Sequence, residues 1–150
     1  MEIFVEGVLL PNKPLTNIEL LNAANKLGIP NFRGVFQRDA LPKRSRKGEC
    51  DILNLDDSLG GGSHWTAWYA CAYACAYARV KADSGGVHYY FDSFGIQPPV
   101  EPVEYLKPPI FYNTEEVQTR DQVFCGHLCL YVLKELTKGK GLQEIINTLT

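Results

Sequence analysis

The sequence predicts an α+β domain with helices at both ends and a central, mainly antiparallel sheet flanked by them. Two observations carry this. Apolar residues recur at helical spacing near each terminus, and short aromatic runs bounded by glycine fill the middle. The length, 150 residues, suits one domain over 1–150 with a single core.

The first helix is expected over residues 16 to 28. Thr16 and Glu19 form a T-x-x-E capping box, Gly28 and Pro30 stop the helix, and Ile18, Leu21, Ala23, Ala24 and Leu27 supply a buried face. Residues 31 to 50 mix Gly, Pro and charge and read as irregular. Three strand candidates follow: "DILNLDD", "GGGSHWTAWYA" after a glycine-rich turn, and "GGVHYYFDSFG". "IQPPVEPVEYLKPP" holds five of the nine prolines, so it reads as an ordered connection with little regular structure, ending in a strand at "IFYN". Residues 123 to 137 form the second major helix, with Phe124, Leu128, Val132, Leu133 and Leu136 on its apolar stripe. Leu142, Ile145, Ile146 and Leu149 mark a short amphipathic helix at the C-terminal end. The repeat "YACAYACAYA", residues 69 to 78, fits strand by its tyrosines and helix by its alanines.

Composition is that of an ordinary globular chain, with 45% hydrophobic and 21% charged residues and a net charge of −2. No global positive field points to nucleic acid. The basic run Lys43, Arg44, Arg46, Lys47 reads first as a solvated loop and second as a nucleic-acid contact. No apolar run reaches the roughly 20 residues of a membrane span, and "MEIFVEGVLLPNK" has no basic leader pattern, so neither membrane insertion nor secretion is expected. Five cysteines, an odd number, fit free thiols in a reducing compartment better than a disulfide framework.

"VFCGHLCLYVL", residues 123 to 133, admits three chemistries. Zinc would need Cys125 and Cys129 joined by Cys71 and Cys75, but both pairs have x3 spacing without turn glycines. No metal is expected. Cys71, Cys75 and Cys129 read as small buried hydrophobes. Cys125 differs. It follows the polar "QTRDQVF" and opens a helix, where the dipole and unpaired N–H groups favour a thiolate. Gly126 beside it would let a substrate approach the backbone. A nucleophile there needs an imidazole base. His127 lies on the wrong side and His88 is a strand residue, which leaves His64.

"GGGSHWTAW", then "YYFDSFG", then a glutamine seven residues before "CGHLC", resembles the adenovirus protease (adenain) family of cysteine peptidases, a group that includes the SUMO-specific proteases. The order His, acid, Gln, Cys is that group's signature, and the motifs fall between residues 58 and 137. The resemblance implies the papain-like fold in its adenain-like circular order. It also implies a triad of Cys125, His64 and Asp92, with Gln118 as oxyanion donor. Gln122 competes for the last role. Trp65 would pack beside the histidine as a cleft wall or as a core aromatic. The implied function is a viral-type endopeptidase that cleaves structural-protein precursors during particle maturation, in the host nucleus or cytoplasm and in the virion. DNA or a short peptide would serve as activator, with the run 43 to 47 as the candidate DNA contact.

Two rivals share the pattern. One is a SUMO- or ubiquitin-type deconjugating peptidase. The other is a scaffold module that retains the cysteine for packing alone. The spacing of His64 and Asp92 raises a further question. If they face each other on adjacent antiparallel strands, the turn belongs at residue 78, whereas the turn residues "ADSGG" lie at 82 to 86. Either bulges absorb the offset or residues 70 to 85 form an excursion beyond the hairpin.

Overall fold

The computed structural model describes residues 2–55, 64–71, 87–118 and 122–150. Strands β1 (Glu2–Val5) and β2 (Val8–Pro11) form a two-stranded hairpin. Its turn is Glu6–Gly7, with φ of 47° and 83°, the positive-φ pair that a tight hairpin requires. The sequence reading assigned no element here.

Helix α1 (Asn17–Leu27) has the expected ends. Glu19 N–H donates to Thr16 Oγ1 at 3.2 Å, Thr16 N–H donates to Glu19 Oε1 at 3.0 Å, and Gly28 is left-handed. Its buried face differs from expectation. Leu20, Ala23, Ala24 and Leu27 are buried, at spacings of 3, 4 and 7, while Ile18 and Leu21 are exposed. Leu20 points into the core because α1 packs against both the sheet and the long C-terminal helix.

The main sheet has five strands in the order β3 (Phe32–Gln37), β4 (Cys50–Asn54), β5 (Trp65–Cys71), β6 (Val87–Phe91), β7 (Ile110–Tyr112). Its two central pairings are antiparallel, and the outer strands β3 and β7 add in parallel. β3 corrects the expectation that residues 31 to 50 are irregular. Only Gly34 among its residues is buried, so the edge strand lacks the apolar alternation that marks a strand in sequence.

A helix, α2 (Val100–Leu106), also lies in the proline-rich connection where little regular structure was expected. Its prolines sit where a helix tolerates them. Pro99 is the N-cap and Pro102 lies in the first turn, where no intrahelical N–H is needed. Helix α3 (Cys125–Thr137) and helix α4 (Leu142–Leu149) complete the chain.

Helices cover both faces of the sheet. On one face α1, α3 and α4 bury Leu20, Leu130, Leu133 and Ile146 against Ile52, Ala67 and Phe91. Phe124 and Leu128, expected on the buried stripe of α3, are only partly buried. On the other face Leu106 of α2 packs on Leu53, Trp68 and Tyr90. There a buried polar group ties α2 to the sheet. Tyr105 Oη donates to Glu49 at 2.8 Å, Trp68 Nε1–H donates to Asp51 Oδ2 at 2.6 Å, and Arg33 pairs with Glu49 at 3.5 Å. Burial first, and then Glu49 beside it, push the Asp51 carboxyl up to about 10, so it is neutral at pH 7.

Among the described residues no helix is long and apolar enough to cross a membrane. The basic residues 43 to 47 lie exposed on the β3–β4 connection. Of the "YACAYACAYA" repeat, Tyr69–Cys71 close β5, and residues 72 to 78, Cys75 included, lie outside the described residues. Cys71 is disulfide-bonded, which overturns the expectation of free thiols at that position. Counting cysteines says nothing of which ones the fold brings together. Cys50, Cys125 and Cys129 are free.

Candidate active site

Three element ends converge on one cleft. His64 immediately precedes β5, Asp92 immediately follows β6, and Cys125 is the first residue of α3. The β5–β6 ladder runs in register from Cys71–Val87 to Ala67–Phe91. One step further would set Asp92 beside Thr66, two residues from His64. The two residues are therefore not cross-strand partners. The His64 carbonyl still accepts the Leu55 N–H at 3.0 Å, extending the β4–β5 pairing, while Asp92 opens the turn that follows β6. The ladder is free of bulges over these pairs, and the connection 72–86, to which the question of an offset or an excursion belongs, lies outside the described residues.

His64 Nε2 and Asp92 Oδ1 are 2.7 Å apart, with both residues buried. Nε2 is thus committed to the carboxylate, and Nδ1 is the ring nitrogen left for Cys125, whose sulfur hydrogen-bonds the imidazole. Burial opposes charge on both partners, and the pairing outweighs it. On His64, burial favours the neutral ring, yet hydrogen bonds to Asp92 and Cys125 raise the pKa to about 9. On Cys125, burial pushes the thiol up, while the hydrogen bond from His64 and the backbone N–H groups of Trp65 and Gly126 bring it below the ordinary thiol value. The arrangement favours a thiolate–imidazolium pair.

Asp92 is held from three sides. The N–H of Phe94 donates to its Oδ1 at 2.8 Å, the turn closes by a Gly95 N–H bond to the Asp92 carbonyl at 2.9 Å, and Asn113 grips its backbone. Asn113 Oδ1 accepts the Asp92 N–H at 3.1 Å, and Asn113 Nδ2 donates to the Asp92 carbonyl at 2.6 Å. Gly95, at φ +73°, is fixed by space as well: an added Cβ would lie 2.5 Å from the Thr114 carbonyl oxygen. The Phe94 ring stacks on His64 with centroids 4.2 Å apart and planes 6° from parallel. Phe94, Asn113 and Gly95 were not singled out in the sequence. The Asp-Ser-x-Gly turn pattern of "DSFG" was the available signal for the turn; nothing local marks Asn113.

The cleft, about 440 Å³, is lined by His64, Cys125, Gln118, Gln122, Phe94 and Pro14 among others. Gln118 is buried, and its Nε2 donates to the Gln122 carbonyl at 2.7 Å while its Oε1 has no partner among the described residues. One N–H of that amide remains to aim at a ligand. Gln122 is exposed.

Two expected cleft residues stand elsewhere. Trp65 lies beside the histidine but faces a neighbouring cavity, and its Nε1–H donates to the Leu15 carbonyl at 2.9 Å, tying β5 to the start of α1. Gly126 faces the core and not a substrate. A Cβ there would lie 3.2 Å from Leu20 Cδ2 and 3.4 Å from Leu15 Cβ, so the glycine admits α1 close to α3. His127 turns away from Cys125, as expected, and bonds the Pro11 carbonyl at 2.8 Å. His88 is buried in β6. Among the described residues no group of three or more His, Cys, Asp or Glu could hold a metal.

No known family matches the chain, and no curated protein matches it significantly.

Proposed function

We propose that this chain is a cysteine endopeptidase, with Cys125 as nucleophile, His64 as general base and acid, Asp92 as its orienting carboxylate and Gln118 as an oxyanion donor. One observation carries the reading: His64 bridges Asp92, at 2.7 Å, and the thiol of a cysteine at a helix start. A titratable pair shifted by burial and by specific partners, set in a cleft, marks a candidate functional site.

The chemistry follows from these positions. The thiolate sulfur attacks the peptide carbonyl carbon, and the oxyanion is met by the Cys125 N–H and the free N–H of Gln118. The imidazolium gives its proton to the leaving nitrogen as the C–N bond breaks, which leaves a thioester and neutral imidazole. His64 then takes a proton from water, whose oxygen attacks the thioester and releases the acid product. Thiolate and imidazolium are restored.

The papain-like fold, with the adenain-like order of its residues, belongs to the same proposal. The sheet with a nucleophile at the start of a packed helix supports it. A role in precursor cleavage during particle maturation rests on the sequence resemblance alone. A deconjugating peptidase would use the same dyad. The test is cleavage profiling of a proteome-derived peptide library with wild type and Cys125→Ala. Wild-type cleavage absent from the variant supports the reading, and equal profiles overturn it.

A further inference from the structure

Leu55 links the histidine of the cleft to an arginine outside it. The Leu55 N–H donates to the His64 carbonyl at 3.0 Å, and the Leu55 carbonyl accepts from Arg38 Nη1 at 3.3 Å. Both backbone groups of Leu55 are therefore held, one by the base and one by Arg38. Register explains the approach. β3 pairs with β4 as far as Gln37 and Asn54, so Arg38 stands one step further along, level with Leu55. The Leu55 side chain itself lines the cleft.

The same guanidinium reaches α2. Nε and Nη2 donate to Glu101 Oε1 at 3.2 Å and 3.1 Å, and Nη2 lies 3.3 Å from Oε2. Glu101 is in the first turn of α2. That helix ends the connection that starts at the Asp92 turn and places Phe94 and Ile96 in the cleft wall. Arg38 thus spans two chain segments, one bonded to the His64 backbone and one that follows Asp92. The two side chains are 36% and 32% exposed, and an ion pair so exposed adds little to stability. What the planar fork supplies is direction, because its three nitrogens hold both partners in one rigid plane.

We propose that Arg38 is a positioning residue for His64: by holding the Leu55 carbonyl against Glu101 it fixes the backbone that sets the imidazole between Asp92 and Cys125. The inference rests on the peptidase reading for its effect on turnover, and on the Cys125–His64 pair alone for its effect on the thiol. Asp92 and Cys125 are the ionisable groups that act on His64. A ring displaced from them stabilises the thiolate less, so Cys125 would lose its proton at higher pH, nearer the ordinary thiol range.

The experiment follows iodoacetamide labelling against pH, read at Cys125 by peptide mass, in wild type, Arg38→Ala, Glu101→Ala and the double variant. Arg38→Ala should move the rise in labelling to higher pH by about 0.5 or more. It should also lower kcat about 10-fold with KM changed less. Glu101→Ala should move the rise the same way by less, and the double variant should do no worse than Arg38→Ala, since both act through one set of bonds. Lys140→Ala breaks a 3.3 Å pair with Glu135, at the other end of α3 from Cys125, and should leave the wild-type profile. Both residues of the Arg38–Glu101 pair are partly exposed, so neither variant empties the core. An unshifted profile in Arg38→Ala overturns the positioning role, whatever happens to kcat or to the denaturation midpoint. A shifted profile in a protein that cleaves no library peptide removes the peptidase reading and leaves the positioning of His64 standing. No labelling of Cys125 in wild type removes both.

Discussion

The Phe94 ring lies flat on the His64 imidazole, 4.2 Å between centroids and 6° from parallel, while the Phe94 N–H holds the Asp92 oxygen that binds the same histidine. One residue therefore fixes both the plane of the ring and the carboxylate at its edge. Phe94→Ala removes the stack and keeps the backbone donor. It should lower kcat about 10-fold with less change in KM, because a loosened base is misplaced in the transition state more than in binding. Phe94→Tyr should retain most activity. Steady-state kinetics on one peptide decide this, and an unchanged kcat in the alanine variant would refute the positioning role.

Cys125→Ala and His64→Ala should each abolish peptide cleavage with the fold intact by circular dichroism. Cleavage surviving in either purified variant removes it from the mechanism.

The pair should also be visible in pH dependence. His64 keeps its proton until about pH 9, and Cys125 loses its proton below the ordinary thiol value. The thiolate–imidazolium form thus fills the window between, titrating as a unit. Alkylation of Cys125 should rise with pH well before a free thiol would react, and kcat/KM should fall again as pH passes about 9 and the imidazolium is lost. Asp92→Asn should narrow this window from the alkaline side, since the imidazolium loses its carboxylate. It should reduce kcat more than it changes KM. A pH profile that is the same with and without the carboxylate would make Asp92 a purely structural residue.

Gln118 and Gln122 make separable predictions. Gln118→Ala should cost roughly 100- to 1,000-fold in kcat, and Gln122→Ala should cost far less, since its backbone carbonyl, not its side chain, holds Gln118. The reverse ranking would assign the oxyanion role to Gln122.

The turn that carries Asp92 should prove costly to disturb. Asn113→Ala leaves the buried N–H of Asp92 without its partner and its carbonyl with the Gly95 N–H alone, a loss of about 1–3 kcal/mol. Gly95→Ala forces a Cβ against a backbone oxygen at positive φ, with strain of about 1–3 kcal/mol. Both should lower the denaturation midpoint in urea. A midpoint unchanged in both would mean that the turn is not under the constraint described.

Much of this molecule was legible locally. The capping box of Thr16 and Glu19 and the left-handed Gly28 end α1 where the residues themselves demand it, because a cap is a bond between neighbours in sequence. The strands of residues 50–54, 65–71 and 87–91, and the last two helices, carry periodic or aromatic patterns of their own. Cys125 and His64 were picked out by residue type and position, and Asp92 and Gln118 by the family resemblance; His64, Cys125 and Gln118 line one cleft, and Asp92 is bonded to His64.

What escaped the sequence depends on distant partners. β3 is a strand because β4 pairs with it, α2 because its prolines fall at its start, and Leu20 is buried because α3 lies across it. Gly126 seemed open to substrate until α1 filled the space before it. Asn113 grips Asp92 across 21 residues, and Phe94 meets His64 across 30. The sequence by itself determined which chemical groups the chain carries and where its helices and strands can begin and end, because those are short-range preferences. Only the tertiary structure decided which groups touch, since contact between residues far apart in the chain is set by how the sheet and helices pack.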